Sequence, residues 1–436
     1  MMHISFFGAT QEVTGSCFLV ESGATKILID CGLFQSAKFC DLRNYEKFPF
    51  DPTTINALCV SHAHIDHTGR IPKLVKEGFR GPIYSTPATR ELAELMLKDS
   101  TGVLQKESVR EKCPQFYTEE DVDRALEHWE DAPYHAIRKV KDATITFFNS
   151  GHILGAAMIV VELGGEKILF SGDLGNSANP LLAQREPVAK PTVLVTEATY
   201  GDRVHEDIFE KKVKLERAIE ASVLRGGVLM IPAFSLERTQ DLISEIAGMM
   251  ARKQIPTVPI FLDSPLSIRA TAIYEKYLKT PFFSLPNVHF TLTTEESKKI
   301  NDVPAPKIII AGSGMSTGGR IIHHERRYLR DPKSTLLFVS YQAPNSLGRR
   351  IQDGAESVTI FGEEVPVNCH KETIHGYSAH PDRDMLFEFI RDEGDVLKKV
   401  FMVHAEPRAS LALVQTVRDY LALDASAPKY GEIVEI

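Results

Sequence analysis

The heptapeptide Ser61-His62-Ala63-His64-Ile65-Asp66-His67 constrains this chain more than any other feature. It follows the apolar run NALCVS and precedes the helical pattern TGRIPKLVKEG, so it occupies a loop at the end of a strand. In extended backbone, side chains two residues apart point to the same side, and His62 and His64 can therefore reach one metal ion. Asp66 and His67 stand where the chain turns into the helix, offset enough to serve a second ion. Imidazole beside carboxylate is a donor set suited to zinc. A polar loop with coincidental histidines is the bland alternative, and three histidines flanking an aspartate in so short a stretch weigh against it.

One loop does not complete two zinc sites that each keep a position open for water, so other strand ends must supply ligands. His152 in SGHILG follows the run ATITFFNS, Asp173 in FSGDLG follows KILF, and His404 in MVHAE ends KKVFMV. Taken singly, each is more often a satisfied polar group than a ligand; taken together they favour ligation.

The remainder of the chain supplies the frame. A length of 436 residues with 43% apolar content is enough for two domains with full cores. Residues 1 to about 200 read mostly as short strands, interrupted by the helical runs ATRELAELMLKDSTGVLQ and TEEDVDRALEHW, the second opening on a threonine N-cap. From about 205 to 365, strands GVLMIPA, PIFLDS and KIIIAGS alternate with amphipathic helical runs, the rhythm of a doubly wound parallel sheet. Six scattered cysteines without a C-x-x-C pair read as buried or free thiols. No apolar run reaches the roughly 18 residues of a membrane helix, and strand-like sequence begins at His3 with no signal peptide, so a cytoplasmic address and no membrane partner are expected. A net charge of −8 is unusual for a nucleic-acid binder and confines any basic surface to a local cleft.

HAHIDH, SGHILG, FSGD and the early LIDCG resemble the metal-binding motifs of the metallo-β-lactamase superfamily. That resemblance implies an α/β fold, an αββα sandwich with paired sheets inside, holding two Zn2+ ions. It assigns one zinc to His62, His64 and His152 and the other to Asp66, His67 and His404, with Asp173 bridging and Asp30 orienting the loop. The segments TEATYGD, IPAFSLERTQ, DSPLSI, GSGMSTGGR, YQAPNSLGRRI, GYSAHPD and VHAE occur in the order seen in the β-CASP ribonucleases, which this chain resembles over nearly its full length. The implied organisation is a metallo-β-lactamase domain over 1–203 and 366–436 interrupted by a β-CASP domain over 204–365, with a cleft suited to a single strand. The resemblance also makes Glu197, His380 and His404 the family's acidic and histidine motifs. A histidine at 404 is similar to RNA-directed members, whereas DNA-repair members carry valine.

Two ions about 3.5–4 Å apart can activate a water and hold a scissile phosphate without a protein nucleophile. The leaving 3′ oxygen then needs a proton, and His380 is the candidate donor, with Glu197 on its other ring nitrogen and Asp66 in the reacting metal set. Gly314, Ser316, Gly318 and Gly319 form an expected backbone cradle for phosphate, with Arg320, Arg349 and Arg350 beside it, and Ser378, two residues before His380, is an expected phosphate contact of its own. Arg326, Arg327 and Arg330 read as a solvated helix face. The expected activity is endonucleolytic hydrolysis of single-stranded RNA. The alternatives are a 5′ exoribonuclease, a DNA nuclease, a silent processing subunit that has lost ligands, and a small-molecule ester hydrolase. A homodimer is left open, although the chain is expected to lack the N-terminal extension of many archaeal relatives and the C-terminal domain of ribonuclease J. Ala405 stands where relatives carry glycine, and would be strained if that position needs positive φ. SLERTQ lacks the usual glycine before its arginine.

Overall fold

A computed structural model describes residues 2–35, 41–176, 181–188, 190–206, 208–343 and 345–436. The chain divides into two compact units, Met1–Val204 with Ala379–Ile436, and His205–Ser378.

The first unit contains two seven-stranded sheets. One runs, in spatial order, Ile433–Glu435, Met2–Phe6, Phe18–Ser22, Thr25–Ile29, Ala57–Cys59, Ile83–Ser85 and Trp129–Asp131. The other runs Asp424–Ser426, Lys399–Val403, Val193–Glu197, Glu166–Phe170, Ala157–Leu163, Ala143–Asn149 and Arg138–Val140. Alternation along the strands sends Ile4, Phe6, Val20 and Ile29 of the first sheet into one core with Ile145, Phe147, Ile159, Phe170 and Phe401 of the second. Phe6 meets Phe401 at 5.2 Å between ring centroids, and Phe18 meets Phe170 at 6.1 Å. The opposite face of the second sheet, through Val160, Leu169, Leu194 and Met402, buries Leu386 and Phe389 of helix Arg383–Asp392 and Leu413 and Val417 of helix Pro407–Leu421. The Thr118 N-cap is completed into a reciprocal capping box by Asp121.

The second unit is built on a six-stranded, all-parallel sheet ordered Val288–Phe290, Ile260–Leu262, Lys307–Ala311, Val228–Pro232, Thr335–Phe338 and His370–Thr373. The last of these strands lies beyond the expected domain boundary at 366. His370–Thr373 pairs in parallel with Thr335–Phe338, so the chain leaves this unit after Ser378. Cys17, Cys31, Cys59 and Cys369 are free and buried, whereas Cys113 is disulfide-bonded, a departure from the expectation of thiols throughout.

Within this unit Glu325, on helix Ile321–Tyr328, is fully buried, and its Oε1 accepts from the Ser316 hydroxyl at 2.5 Å. Its Oε2 has no partner, and burial pushes the carboxyl up to about 8 against the opposing Ser316 bond. An acid whose folded pKa is raised contributes stability that is full below its unfolded pKa and is lost as pH rises toward the folded value. Glu325→Gln, which does not ionise, should therefore exceed the parent in stability at pH 8 by on the order of a few kcal/mol and match it near pH 4.5. Thermal denaturation at the two pH values measures this, and equal stability at the upper one would refute it.

Candidate metal centre

The seven expected ligand residues all belong to the first unit and lie at the ends of its strands. The His62–His67 loop follows Ala57–Cys59 and runs into the short helix Ile65–Thr68. His152 lies between Ala143–Asn149 and Ala157–Leu163, Asp173 follows Glu166–Phe170, and His404 follows Lys399–Val403. Two close backbone approaches hold these loops together. A Cβ on Gly32 would meet the Asp66 carbonyl oxygen at 1.6 Å, and one on Gly175 would meet the Gly151 oxygen at 2.0 Å, so only glycine fits at either place.

Two groups of donor atoms take in all seven expected ligands. His62, His64, His152 and Asp173 offer ligand atoms within 4.8 Å of one another, as do Asp66, His67 and His404; a third set, Asp173, His380 and His404, meets the same limit. His62 Nε2 is 3.0 Å from His64 Nδ1, and His152 Nε2 is 3.4 Å from the same atom. Asp173 divides itself between the groups. Its Oδ2 lies 3.4 Å from His62 Nε2 and 3.5 Å from His152 Nε2, while its Oδ1 lies 3.3 Å from His67 Nε2 and 3.7 Å from His404 Nε2. Oδ1 is buried without a hydrogen-bond partner. A buried orphan carboxylate oxygen is costly unless something positive meets it, and a metal ion would.

The outer ring nitrogens are held by neighbours, which leaves Nε2 of three histidines facing inward. His67 Nδ1 donates to Asp30 at 2.7 Å, and His152 Nδ1 donates to the Leu174 carbonyl at 3.2 Å. Ser61 donates to Asp30 through both its amide and its hydroxyl, at 2.7 Å each, which leaves the hydroxyl oxygen to accept from His62 Nδ1 at 3.1 Å. Burial drives His62 and His152 well below the ordinary histidine value and His64 down to about 4, so these rings are neutral, the state in which imidazole ligates. His67 differs. Burial opposes its charge, yet Asp173 and Asp30 raise it well above that value.

His380 stands beside both groups, with its Nε2 3.9 Å from Asp173 Oδ2. Its Nδ1 bonds the Glu197 carboxylate at 3.0 and 3.1 Å. Glu197 is fully buried and fixed in turn by the Leu174 amide at 2.7 Å and the Thr199 hydroxyl at 2.6 Å. Burial opposes protonation of His380, but Glu197, with Asp173 and Asp66, raises it to about 9.

Family models match three stretches: the metallo-beta-lactamase superfamily over residues 10–220, the Beta-Casp domain over 239–351, and the Zn-dependent metallo-hydrolase RNA specificity domain over 364–428. The chain is 35% identical to Ribonuclease TTHA0252 of Thermus thermophilus over the whole of both chains. The chain belongs to the β-CASP ribonuclease family of the metallo-β-lactamase superfamily. It is also 30% identical to the RNase J-like protein of Methanocaldococcus jannaschii, again over the whole of both. Its full length is 31% identical to 72% of the transcription termination factor FttA of Methanosarcina mazei. A crystal structure of a protein of unknown function from Enterococcus faecalis shares the fold, with a TM-score of 0.58 at 11% identity over 99% of each chain. This β-CASP chain is thus a metal-dependent hydrolase, and among its described residues no helix is long and apolar enough to cross a membrane.

The expected phosphate cradle of this β-CASP protein departs from its sequence reading. Its loop and the following segment do come together, through Gln342 Nε2 to the Gly314 carbonyl at 2.9 Å and the Gly348 amide to the Met315 carbonyl at 3.2 Å. The amides of Thr317 and Gly318, however, donate to the Ser313 hydroxyl, and that of Ser316 to the Ser313 carbonyl, so these N–H groups turn inward. Ser316 is buried with positive φ, as is common for a tight turn, and Gly319 also has positive φ. Arg320 is committed as well. Its guanidinium donates to Asp263 at 2.7 Å and to the Thr291 and Leu292 carbonyls at 2.8 Å each. Asp263 is buried and needs these donors, together with His324 at 2.7 Å, so Arg320 ties the fold. Arg349 pairs with Asp353 at 2.8 Å, Arg350 is exposed, and Ser378 closes the second unit.

The residue with positive φ at the third histidine motif is His404 itself, at 51°, and Ala405 is spared that strain. Ser16 escaped the sequence reading: its hydroxyl lies 3.3 Å from His67 Nε2 and 3.5 Å from His404 Nδ1. No local pattern marks such a serine, because its partners are remote in sequence.

Proposed function

We propose that this chain is a zinc-dependent ribonuclease that hydrolyses single-stranded RNA endonucleolytically at a two-ion centre. The observation that carries the reading is the division of Asp173, whose two oxygens face two separate histidine groups while one stays unpartnered. His62, His64 and His152 would hold one ion, Asp66, His67 and His404 the other, and Asp173 would touch both. Imidazole and carboxylate donors in that proportion suit zinc. Zinc held there lowers the pKa of a water toward neutrality and offsets charge building on the phosphoryl oxygens.

This chain's own residues do the rest. Asp30 and Ser61 hold Nδ1 of His67 and His62 so that both rings turn Nε2 toward the centre. Glu197 orients His380, whose Nε2 is the proton donor to the departing 3′ oxygen, and the Thr199 hydroxyl holds Glu197 by donating to it at 2.6 Å. RNA as substrate is supported by the names of the Thermus and Methanocaldococcus relatives and by the description of the C-terminal family model.

The test is incubation of the protein with end-labelled single-stranded RNA and with DNA of the same sequence, with and without a chelator. Discrete RNA fragments that disappear on chelation are expected. Mononucleotide release would overturn the endonuclease assignment, and cleavage of DNA alone would overturn the substrate.

A further inference from the structure

A cavity of about 220 Å³ lies in the first unit, lined among others by Gly151, Gly175, Arg185, Met385 and Glu388. Its place in the fold is telling. Gly151 directly precedes His152, Gly175 follows Asp173 by two residues, and Met385 and Glu388 sit on the helix Arg383–Asp392 that begins just after His380. The cavity therefore adjoins three loops of the metal centre.

Its wall is built. Asn149 Nδ2 donates to the carbonyls of Gln184 at 3.0 Å and Ala183 at 3.3 Å, and the Glu186 amide returns to the Asn149 carbonyl at 3.0 Å. A Cβ on Gly151 would come within 2.9 Å of the Arg185 amide nitrogen, so the two segments meet backbone to backbone. The Arg185 guanidinium lies 4.9 Å from the Phe389 ring centroid and, among the described residues, makes no hydrogen bond or ion pair. Arg185 lines the cavity half-buried and with unused donors, near the carboxylates of Asp392, Glu393 and Glu388, which implies a guest that offers acceptors.

Glu388 decides which guest. A phosphate would satisfy Arg185 but be repelled by the carboxylate, whereas a nucleobase can meet both groups. Guanine presents O6 and N7 as an acceptor pair, the match for an arginine fork, and carries N–H donors on its Watson–Crick edge for a carboxylate. Adenine sets its amino group where guanine has O6, and pyrimidines lack N7. The volume is below the ~300–1,000 Å³ of drug-sized sites, as befits one planar base, and the Met385 thioether is a soft surface for it to lie against.

We propose that this cavity seats a guanine base of the RNA substrate, with Arg185 donating to O6 and N7 and Glu388 accepting from the N1–H and 2-amino groups. Cleavage is thereby set at a fixed offset from a guanosine. This deepens the ribonuclease reading above and rests on it.

Two measurements on the full chain test it. Guanosine and adenosine, both without phosphate, are titrated by calorimetry, and guanosine should bind on the order of tenfold to a hundredfold more tightly. Oligonucleotides differing only by guanosine, inosine or adenosine at one position are then compared, and cleavage should fall in that order by a similar overall factor. Arg185→Met and Glu388→Gln should each level the guanosine-to-adenosine ratio in both assays. Glu388 is exposed, so its variant keeps the fold in any event. Equal binding of the two nucleosides, or binding of neither, overturns the pocket. Absence of RNA cleavage alongside selective guanosine binding overturns the ribonuclease reading and leaves the pocket standing.

Discussion

Asp173→Ala is expected to abolish both metal retention and RNA cleavage while the chain stays folded. Asp173 is fully buried, and although burial opposes its charge, His404, His67 and His62 hold its pKa well below the carboxylate range. Its oxygens are the only ones that approach both histidine groups among the described residues. If Asp173 touches both proposed ions, removing it would strip a carboxylate from each at once, and the loss of several kcal/mol of charge stabilisation corresponds to at least about a thousandfold in rate. The fold should survive, because the core rests on the paired sheets and Asp173 contributes no apolar contact to it. Zinc per chain is read by atomic absorption. Thermal midpoint is read with and without added zinc, since a ligand that binds only the folded state raises it. The parent should gain stability from zinc and the variant should not. A variant that keeps its zinc and its cleavage rate would sink the two-ion reading.

How legible the centre is in the sequence depends on how local its parts are. His62, His64, Asp66 and His67 announce themselves because four ligand-type side chains share one loop, and each falls in one of the candidate donor groups. His152, Asp173 and His404 are readable only as a set, through their common place at strand ends. What the sequence conceals is the partner of each polar group. Arg320 looks like a phosphate contact beside a glycine-rich loop, yet Asp263, far away in sequence, claims it. The loop amides look open, yet the Ser313 hydroxyl folds back onto them. The compact unit runs past the expected boundary at 366 for a related reason. His370–Thr373, read HKET, lacks the apolar run of a buried parallel strand because it lies at the sheet edge, where half its residues are exposed.

His380→Ala is expected to slow cleavage about a hundredfold to ten-thousandfold while zinc content stays at the parental level. The ring lies outside the two groups proposed to hold the ions, with its Nδ1 engaged by Glu197 and its Nε2 3.9 Å from the nearest oxygen of Asp173. Glu197 raises its pKa to about 9, and bound cations would pull that value back toward neutrality, where a proton donor works best. A donor to the leaving oxygen can be separated from a merely structural ring by changing the leaving group. An RNA with sulfur in place of the bridging 3′ oxygen departs as a thiolate, which needs no proton. On that substrate the His380→Ala variant should approach the parental rate, and on ordinary RNA it should not. Glu197→Gln, which acts through the ring, should show the same pattern with a smaller loss. Loss of zinc in His380→Ala would recast this residue as a ligand, in keeping with its place beside Asp173 and His404. An equal defect on both substrates would remove it from the proton-transfer step.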